Sequence, residues 1–249
     1  MEGPLPPPEQ KAVYVREMFG RIAQRYDLMN RLMTFGRDQA WRRYAVDRAL
    51  NGPTGRAVRV AGKGKVRVLD VATGTGDLAL EVLRQDPEAQ VVGIDFVPEM
   101  LALAQAKSDA RQADPGLAAG NALRLPFPDG TFDAIVTGFA MRNVTDIPAA
   151  FAEMARVARP GGRVACLEIA KPRTPLFRQM YDFYFYHLVP LLGGLITGQR
   201  SAYTYLPHSL TAFLTPDEIV DVMRQTGWRE VSYKRLMVGT VAVHVGTRE

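Results

Sequence analysis

From residue 66 onward the chain switches repeatedly between short apolar runs and helical stretches, and this alternation limits the possible folds more than any other feature. Val66–Ala72 reads as a buried strand, followed by a glycine turn and a helix from Asp77. Gln90–Phe96 reads as the next strand and Pro98–Ala110 as a helix with proline in its first turn. Phe132–Phe139 is a further strand and Ile147–Ala158 a helix; Arg159-Pro160-Gly161-Gly162 then forms a turn, and Arg163–Ile169 the next strand. Apolar strands separated by helices predict a mainly parallel sheet with helices on both faces.

The two ends break this rhythm. Residues 11–50 predict a helical lid, because Val15, Met18, Phe19, Ile22 and Tyr26 recur at helical steps. Asn51–Lys65 carries the Gly and Pro signals of a loop. Residues 172–214 form an apolar helical insertion, rich in aromatic residues and interrupted by Pro190, Gly193, Gly194 and Pro207. Thr215-Pro216-Asp217-Glu218 predicts a capping box opening a helix that stops at Gly227. Glu230–Met237 and Thr240–Gly246 then predict an antiparallel hairpin, so residues 215–249 hold the last helix and the hairpin. The expected organisation is one domain over 1–249, with a disordered tail at 1–10 and a ligand-binding core at 66–171.

Composition narrows the class. At 47% hydrophobic and 23% charged residues the chain has the mix of an ordinary soluble domain with its own core. No apolar run reaches the length of a membrane span, and the N-terminus shows no signal-peptide pattern, so a cytoplasmic location is expected. Cys166 is the only cysteine, falls on a predicted strand and reads as inert core. His187, His208 and His244 lack ligand spacing, so no metal site is expected, and His187 reads as a packed residue of the insertion. The net charge is +5, with arginines spread over the first third at helical spacing; this reads as a solvated face and not as a nucleic-acid site.

The glycine turn is Asp70-Val71-Ala72-Thr73-Gly74-Thr75-Gly76-Asp77. Glycines at a strand-to-helix junction let backbone approach a ligand, and Asp95 follows about 20 residues on, where a ribose-binding acid belongs. That pattern alone also fits a nicotinamide dinucleotide. Asp70 would repel a pyrophosphate yet suits an ammonium, and the closing hairpin resembles the class I S-adenosylmethionine-dependent methyltransferases. The resemblance implies a Rossmann-like α/β fold with a mainly parallel seven-stranded sheet, a C-terminal antiparallel hairpin and helical additions. It implies S-adenosylmethionine as cofactor, bound by Asp70, Thr73, Gly74, Thr75, Gly76, Asp95, Phe96, Met100, Asn121, Ala122, Thr137 and Gly138. Ala72 stands where that family's first glycine would be.

A narrower resemblance covers nearly the whole chain. Met18-Phe19, Ile22-Ala23, Tyr26-Asp27 with Asn30, Leu125-Pro126-Phe127-Pro128-Asp129, Phe139-Ala140-Met141-Arg142-Asn143-Val144, Pro160-Gly161-Gly162-Arg163 and Leu167-Glu168 are similar to signatures of the quinone-biosynthesis C-methyltransferases. Members of that family often carry serine where this chain has Gly138, so Gly138 is expected as a backbone neighbour only. The resemblance implies methylation of demethylmenaquinol, or of a ubiquinone precursor, with Arg142, Asn143 and Tyr26 as catalytic candidates. Arg142 suits a phenolate, or a water that takes the quinol proton, and its structural alternative is an ion pair with an acid such as Asp146. Tyr26 suits a quinol hydrogen bond or simple packing; Asp27 and Asn30 suit helix capping equally well. The insertion Phe177–Ile196 suits the isoprenoid tail, or an ordinary core.

The expected partners are a prenylated quinol and a peripheral membrane-surface contact, with no nucleic acid and a homo-oligomer left open. The alternatives are a methyltransferase of another apolar molecule, a nicotinamide-dependent oxidoreductase and a non-catalytic scaffold.

Overall fold

The structure is a computed structural model and describes residues 5–52, 64–211 and 213–249. Most of the loop expected at Asn51–Lys65, and the first residues of the expected tail, lie outside the described residues. The rest of that tail closes in a 3-10 turn at Pro8–Gln10.

The helical N-terminal segment is two helices, α1 (Lys11–Thr34) and α2 (Asp38–Asn51). Phe35 and Gly36 both adopt positive φ, and the Gly36 N–H returns to Arg31 O at 2.8 Å, which ends α1. The alternating part runs β1 (Arg67–Val71), α3 (Asp77–Gln85), β2 (Gln90–Asp95), α4 (Pro98–Ala110), β3 (Gly116–Ala119), β4 (Phe132–Gly138), α5 (Ile147–Val157) and β5 (Ala158–Ile169). Sequence reasoning missed β3: its four residues, Gly-Leu-Ala-Ala, carry no β-branched side chain and are mostly exposed. The insertion is α6 (Pro175–Phe183), α7 (Val189–Thr197) and α8 (Arg200–Thr211), with a π-helical turn at Tyr184–Leu188 joining the first two. Pro190, which lacks an N–H and crowds the carbonyl four residues back, is the second residue after that widened turn. The chain closes with α9 (Pro216–Gln225), β6 (Trp228–Leu236) and β7 (Val241–Arg248), and Thr215 and Glu218 form the expected capping box.

The sheet order is β3-β2-β1-β4-β5-β7-β6. The first five strands are parallel, and β7 enters antiparallel between β5 and β6. Side chains alternate across the sheet. Leu69, Ile135 and Cys166 face a core with α5, α9 and Trp228, whereas Val68, Ala134, Val136 and Ala165 face α2 and α3. The reversal of strand order between β1 and β4 opens a crevice at their carboxyl ends. α1 spans this crevice: Val15, Met18, Ile22 and Met29 pack against Phe185, Val189 and Tyr203 of the insertion. Among the described residues no helix is long and apolar enough to cross a membrane.

Candidate active site

The turn after β1 is built from positive-φ residues: Ala72 at 56°, Gly74 at 56° and Gly76 at 80°. Its two glycines serve different ends. A Cβ on Gly74 would meet nothing within 4 Å, so this residue opens onto a cavity, whereas one on Gly76 would press on Ala104 Cβ at 3.2 Å, so this residue lets α4 approach. Asp95 holds the turn in place: Oδ2 accepts from Gly74 N–H at 2.8 Å, and Oδ1 from Val97 N–H at 2.9 Å. Burial raises the Asp95 pKa against those hydrogen bonds.

The cavity above the turn measures about 130 Å³. Of the expected cofactor residues, Gly74, Asp95, Phe96, Met100, Asn121, Ala122 and Gly138 line it, as do Tyr26 and Asn143. Asp70, Thr73, Thr75, Gly76 and Thr137 stand behind that wall. The Asp70 carboxylate is fully buried; Oδ2 accepts from Thr73 Oγ1 at 2.6 Å and Ala79 N–H at 3.0 Å, while Oδ1 has no partner. Burial pushes its pKa up to about 7, with the Thr73 and Ala79 hydrogen bonds opposing. Thr137 Oγ1 is likewise buried without a partner. At Gly138 a Cβ would meet Leu78 Cδ1 at 2.9 Å, so Leu78 occupies the room a side chain there would need.

Thr75 faces α1 instead of the cavity. Its Oγ1 donates to Asp27 Oδ1 at 2.7 Å, and Lys107 Nζ reaches Thr75 Oγ1, Asp27 and Asp77 at 2.9, 2.6 and 2.7 Å. Asp27 and Asn30 are therefore mid-helix residues and not caps, and Asp27 fastens α1 onto the turn. At the other end of α1, Lys11 Nζ donates to Val144 O at 2.7 Å. Sequence reasoning did not foresee Lys107, whose role depends on a partner 80 residues earlier.

A second, more apolar cavity of about 360 Å³ lies beside the first, with Tyr26 and Phe139 lining both. Phe177, Met180, Tyr181, Tyr184 and Phe185 of the insertion line it, as do Asn30, Trp41 and Arg142. The Phe139 backbone at φ 58° aims its carbonyl at Arg142, whose Nη1 donates to it at 2.6 Å. The same nitrogen meets Glu168 Oε2 at 3.2 Å, and Glu168 Oε1 accepts Met141 N–H at 2.7 Å. The partner of Arg142 is thus Glu168 on β5; Asp146 instead caps α5 by accepting Ala149 N–H at 2.9 Å. Burial raises the Glu168 pKa, and the Arg142 charge opposes that shift. A lone acid in the buried run 164–168 of β5 was the signal for this partner.

Arg142 Nε, on a residue lining this cavity, is buried and has no hydrogen-bond partner, whereas the Asn30 side chain sits against Tyr26 and opposes the rise of its pKa. Tyr26 packs edge-on against Phe19 at 5.8 Å, and burial raises its pKa, with Arg142 opposing. Asn143 Oδ1 accepts from Tyr205 Oη at 3.3 Å. His187 is exposed beside Phe183 and lines neither cavity, contrary to the packed residue expected; the buried histidine is His244. Cys166 is fully buried, and its thiol is pushed well above its ordinary range by desolvation.

Comparison with known proteins adds to this geometry. The model of the ubiE/COQ5 methyltransferase family matches residues 8–248. The chain is 47% identical to a demethylmenaquinone methyltransferase of Roseiflexus castenholzii, covering 98% of this chain and 97% of that one. It is 43% identical to a ubiquinone/menaquinone biosynthesis C-methyltransferase UbiE of a Geobacter species, over 96% of this chain and 98% of that one. Among solved structures it is similar to the [4+2]-cyclase SpnF, with a TM-score of 0.66, 16% identity and 94% coverage of both chains. A SAM-dependent methyltransferase of Thermotoga maritima gives a TM-score of 0.59 at 17% identity, over 94% of this chain and 99% of that one. These two likenesses concern the fold.

Proposed function

The chain belongs to the ubiE/COQ5 methyltransferase family, and from this premise we propose that it transfers a methyl group from S-adenosylmethionine to a ring carbon of a prenylated quinol. The reduced form of demethylmenaquinone is the substrate suggested by the names of its relatives. The observation that carries this reading is the pairing of a glycine-turn cavity with an apolar cavity lined by Arg142, whose Nε is buried without a partner. Family membership decides against the oxidoreductase alternative.

The residues of the first cavity fit the cofactor. Gly74 leaves room for close approach, Asp95 presents a carboxylate suited to ribose hydroxyls, and Phe96 and Met100 suit a flat base. The orphaned Asp70 Oδ1 is an acceptor suited to an ammonium behind the turn. S-adenosylmethionine, when bound, supplies a methyl group on a cationic sulfur, which is an electrophile.

The chain's own residues must then make the quinol ring electron-rich and keep water away. One hydroxyl proton passes to a bound water, and its loss pushes charge onto the neighbouring ring carbon. That carbon takes the methyl group as the methyl–sulfur bond breaks and then gives up its own ring proton to water. Arg142, with a free Nε and a fixed Nη1, favours that phenolate directly or through a bound water. Asn30, beside Tyr26 in the same wall, helps hold that phenol in place. Tyr26, its phenol held protonated by burial, serves as a donor and not as a base. Asn143, which accepts from Tyr205, belongs to the wall of the first cavity, and Phe177, Tyr181, Tyr184 and Phe185 of the insertion exclude water and hold the tail in the second.

The test is a series of quinols with shortened tails. KM should rise strongly as isoprene units are removed, since each buried CH₂ contributes about 0.8 kcal/mol until the cavity is full. Equal efficiency for tailed and tailless quinols would remove the tail from this cavity.

A further inference from the structure

The helical backbone continues from α6 through the π-helical turn to the end of α7. Its inner side chains, Tyr181, Phe185 and Val189, belong to the core beneath α1. Its outer side should be polar if it faced water, because a helix apolar all round requires a partner on every side. Instead Leu176, Met180, Phe183, Leu191 and Leu195 are exposed, with Leu176 at 71% and Leu195 at 75%. Spaced three, four or eight residues apart, they form a ridge about 28 Å long. The only charged side chains on this stretch, Arg178 and Asp182, face each other at 3.9 Å.

The ridge runs into the mouth of the second cavity. Met180 belongs to both, and Phe35 and Met237, which line the cavity, are exposed at 78% and 43%. Basic residues flank this apolar rim. Arg31 and Arg37 lie on either side of Phe35, are exposed and make no salt bridge among the described residues. Lys171 and Arg173 precede the ridge, with Arg173 paired to Asp217, and Arg200 follows it. An apolar ridge edged by cations matches a bilayer surface bearing anionic headgroups.

We propose that the α6–α7 ridge and the rim of the second cavity dock on the surface of an anionic lipid bilayer, so that the substrate tail passes from hydrocarbon into the cavity without crossing water. The proposal rests on the prenylated-quinol reading. A second copy of the chain fits less well, because pairing two such faces brings like-charged rims together and covers the opening the lipid must use.

The test is sedimentation of the full-length protein with vesicles of phosphatidylcholine, alone or mixed with phosphatidylglycerol. The protein should bind the mixed vesicles, and more weakly as salt rises. Phe183→Ser/Leu191→Ser/Leu195→Ser changes no residue lining either cavity, and it should reduce vesicle binding at least about tenfold. It should also lower turnover of vesicle-embedded quinol while leaving a tailless quinol in solution unaffected. Arg31→Gln/Arg37→Gln, on an exposed surface, should weaken binding to mixed vesicles and flatten the salt dependence. A wild-type protein that ignores mixed vesicles, variants that bind as it does, or a dimer that the triple substitution dissolves would each overturn the proposal. Vesicle binding without any quinol methylation would strike only the substrate reading; quinol methylation without vesicle binding would strike only the docking.

Discussion

Removing Arg142 separates chemistry from folding, provided its partner is treated at the same time. In Arg142→Met the buried Glu168 loses the cation that opposes its burial, so the carboxyl is left uncompensated or takes up a proton. Breaking one side of a buried ion pair costs about 3–5 kcal/mol of stability, so a loss of activity in this variant alone proves little. The double variant Arg142→Met/Glu168→Gln removes both charges and keeps an acceptor for the Met141 N–H. It should regain most of the lost stability, because a neutral, well-filled replacement of a buried pair is often close to neutral. Turnover should nevertheless stay at least about a hundredfold below wild type, the scale of a lost electrostatic contributor, with cofactor affinity near normal. Urea denaturation, single-turnover methyl transfer and calorimetric titration of the cofactor read these three quantities. If the double variant recovers turnover along with stability, Arg142 is a structural residue and the phenolate role is wrong.

Three further outcomes follow from the glycine turn. Asp95→Ala should weaken S-adenosylmethionine binding by about 1.5–3 kcal/mol, and unchanged calorimetric affinity in a folded variant would remove the ribose assignment. Ala72→Gly should stabilise the protein by about 0.5–1 kcal/mol in urea denaturation: a left-handed L-residue costs about 1–2 kcal/mol, and glycine's extra chain entropy returns only part of that. Asp70 is held protonated up to about pH 7, so its contribution to stability is full below its ordinary value of 3.8 and is lost as pH rises toward 7. If the cofactor ammonium meets the ionised carboxylate, binding at about pH 6 must release a proton, read as a buffer-dependent calorimetric enthalpy; a buffer-independent enthalpy would contradict the pairing.

The features legible in the sequence are those set by local chemistry. Apolar periodicity located β1, β2, β4 and β5, and Pro98 and the Thr215 capping box marked helix starts within a residue. Gly74 and Asp95 were expected together at the strand-to-helix turn, where the Asp95 carboxylate accepts the Gly74 N–H and both line the first cavity. The features that were not legible depend on tertiary pairing. β3 has no strand composition and exists because it pairs with β2. Arg142 was identified, but its partner was misplaced, because Asp146 is near in sequence whereas Glu168 is near only across the sheet. Thr75 was expected at the cofactor, and its side-chain bonds to Asp27 and Lys107, brought to it by α1 and α4, were not foreseen. The aromatic insertion divides in the same way, since composition alone does not tell the inward Tyr181 and Phe185 from the outward Phe183 and Leu195.

If a quinol ring carbon is the nucleophile, methyl transfer must depend on the redox state of the substrate. Methyl transfer from S-adenosylmethionine labelled in its methyl group is followed with demethylmenaquinone kept fully oxidised, and with the same compound reduced to the quinol under anaerobic conditions. Label should appear on a ring carbon of the quinol alone, because the oxidised ring is electron-poor and has no hydroxyl proton whose loss would activate it. Equal labelling of the oxidised quinone, or label on oxygen instead of carbon, would exclude a ring-carbon nucleophile.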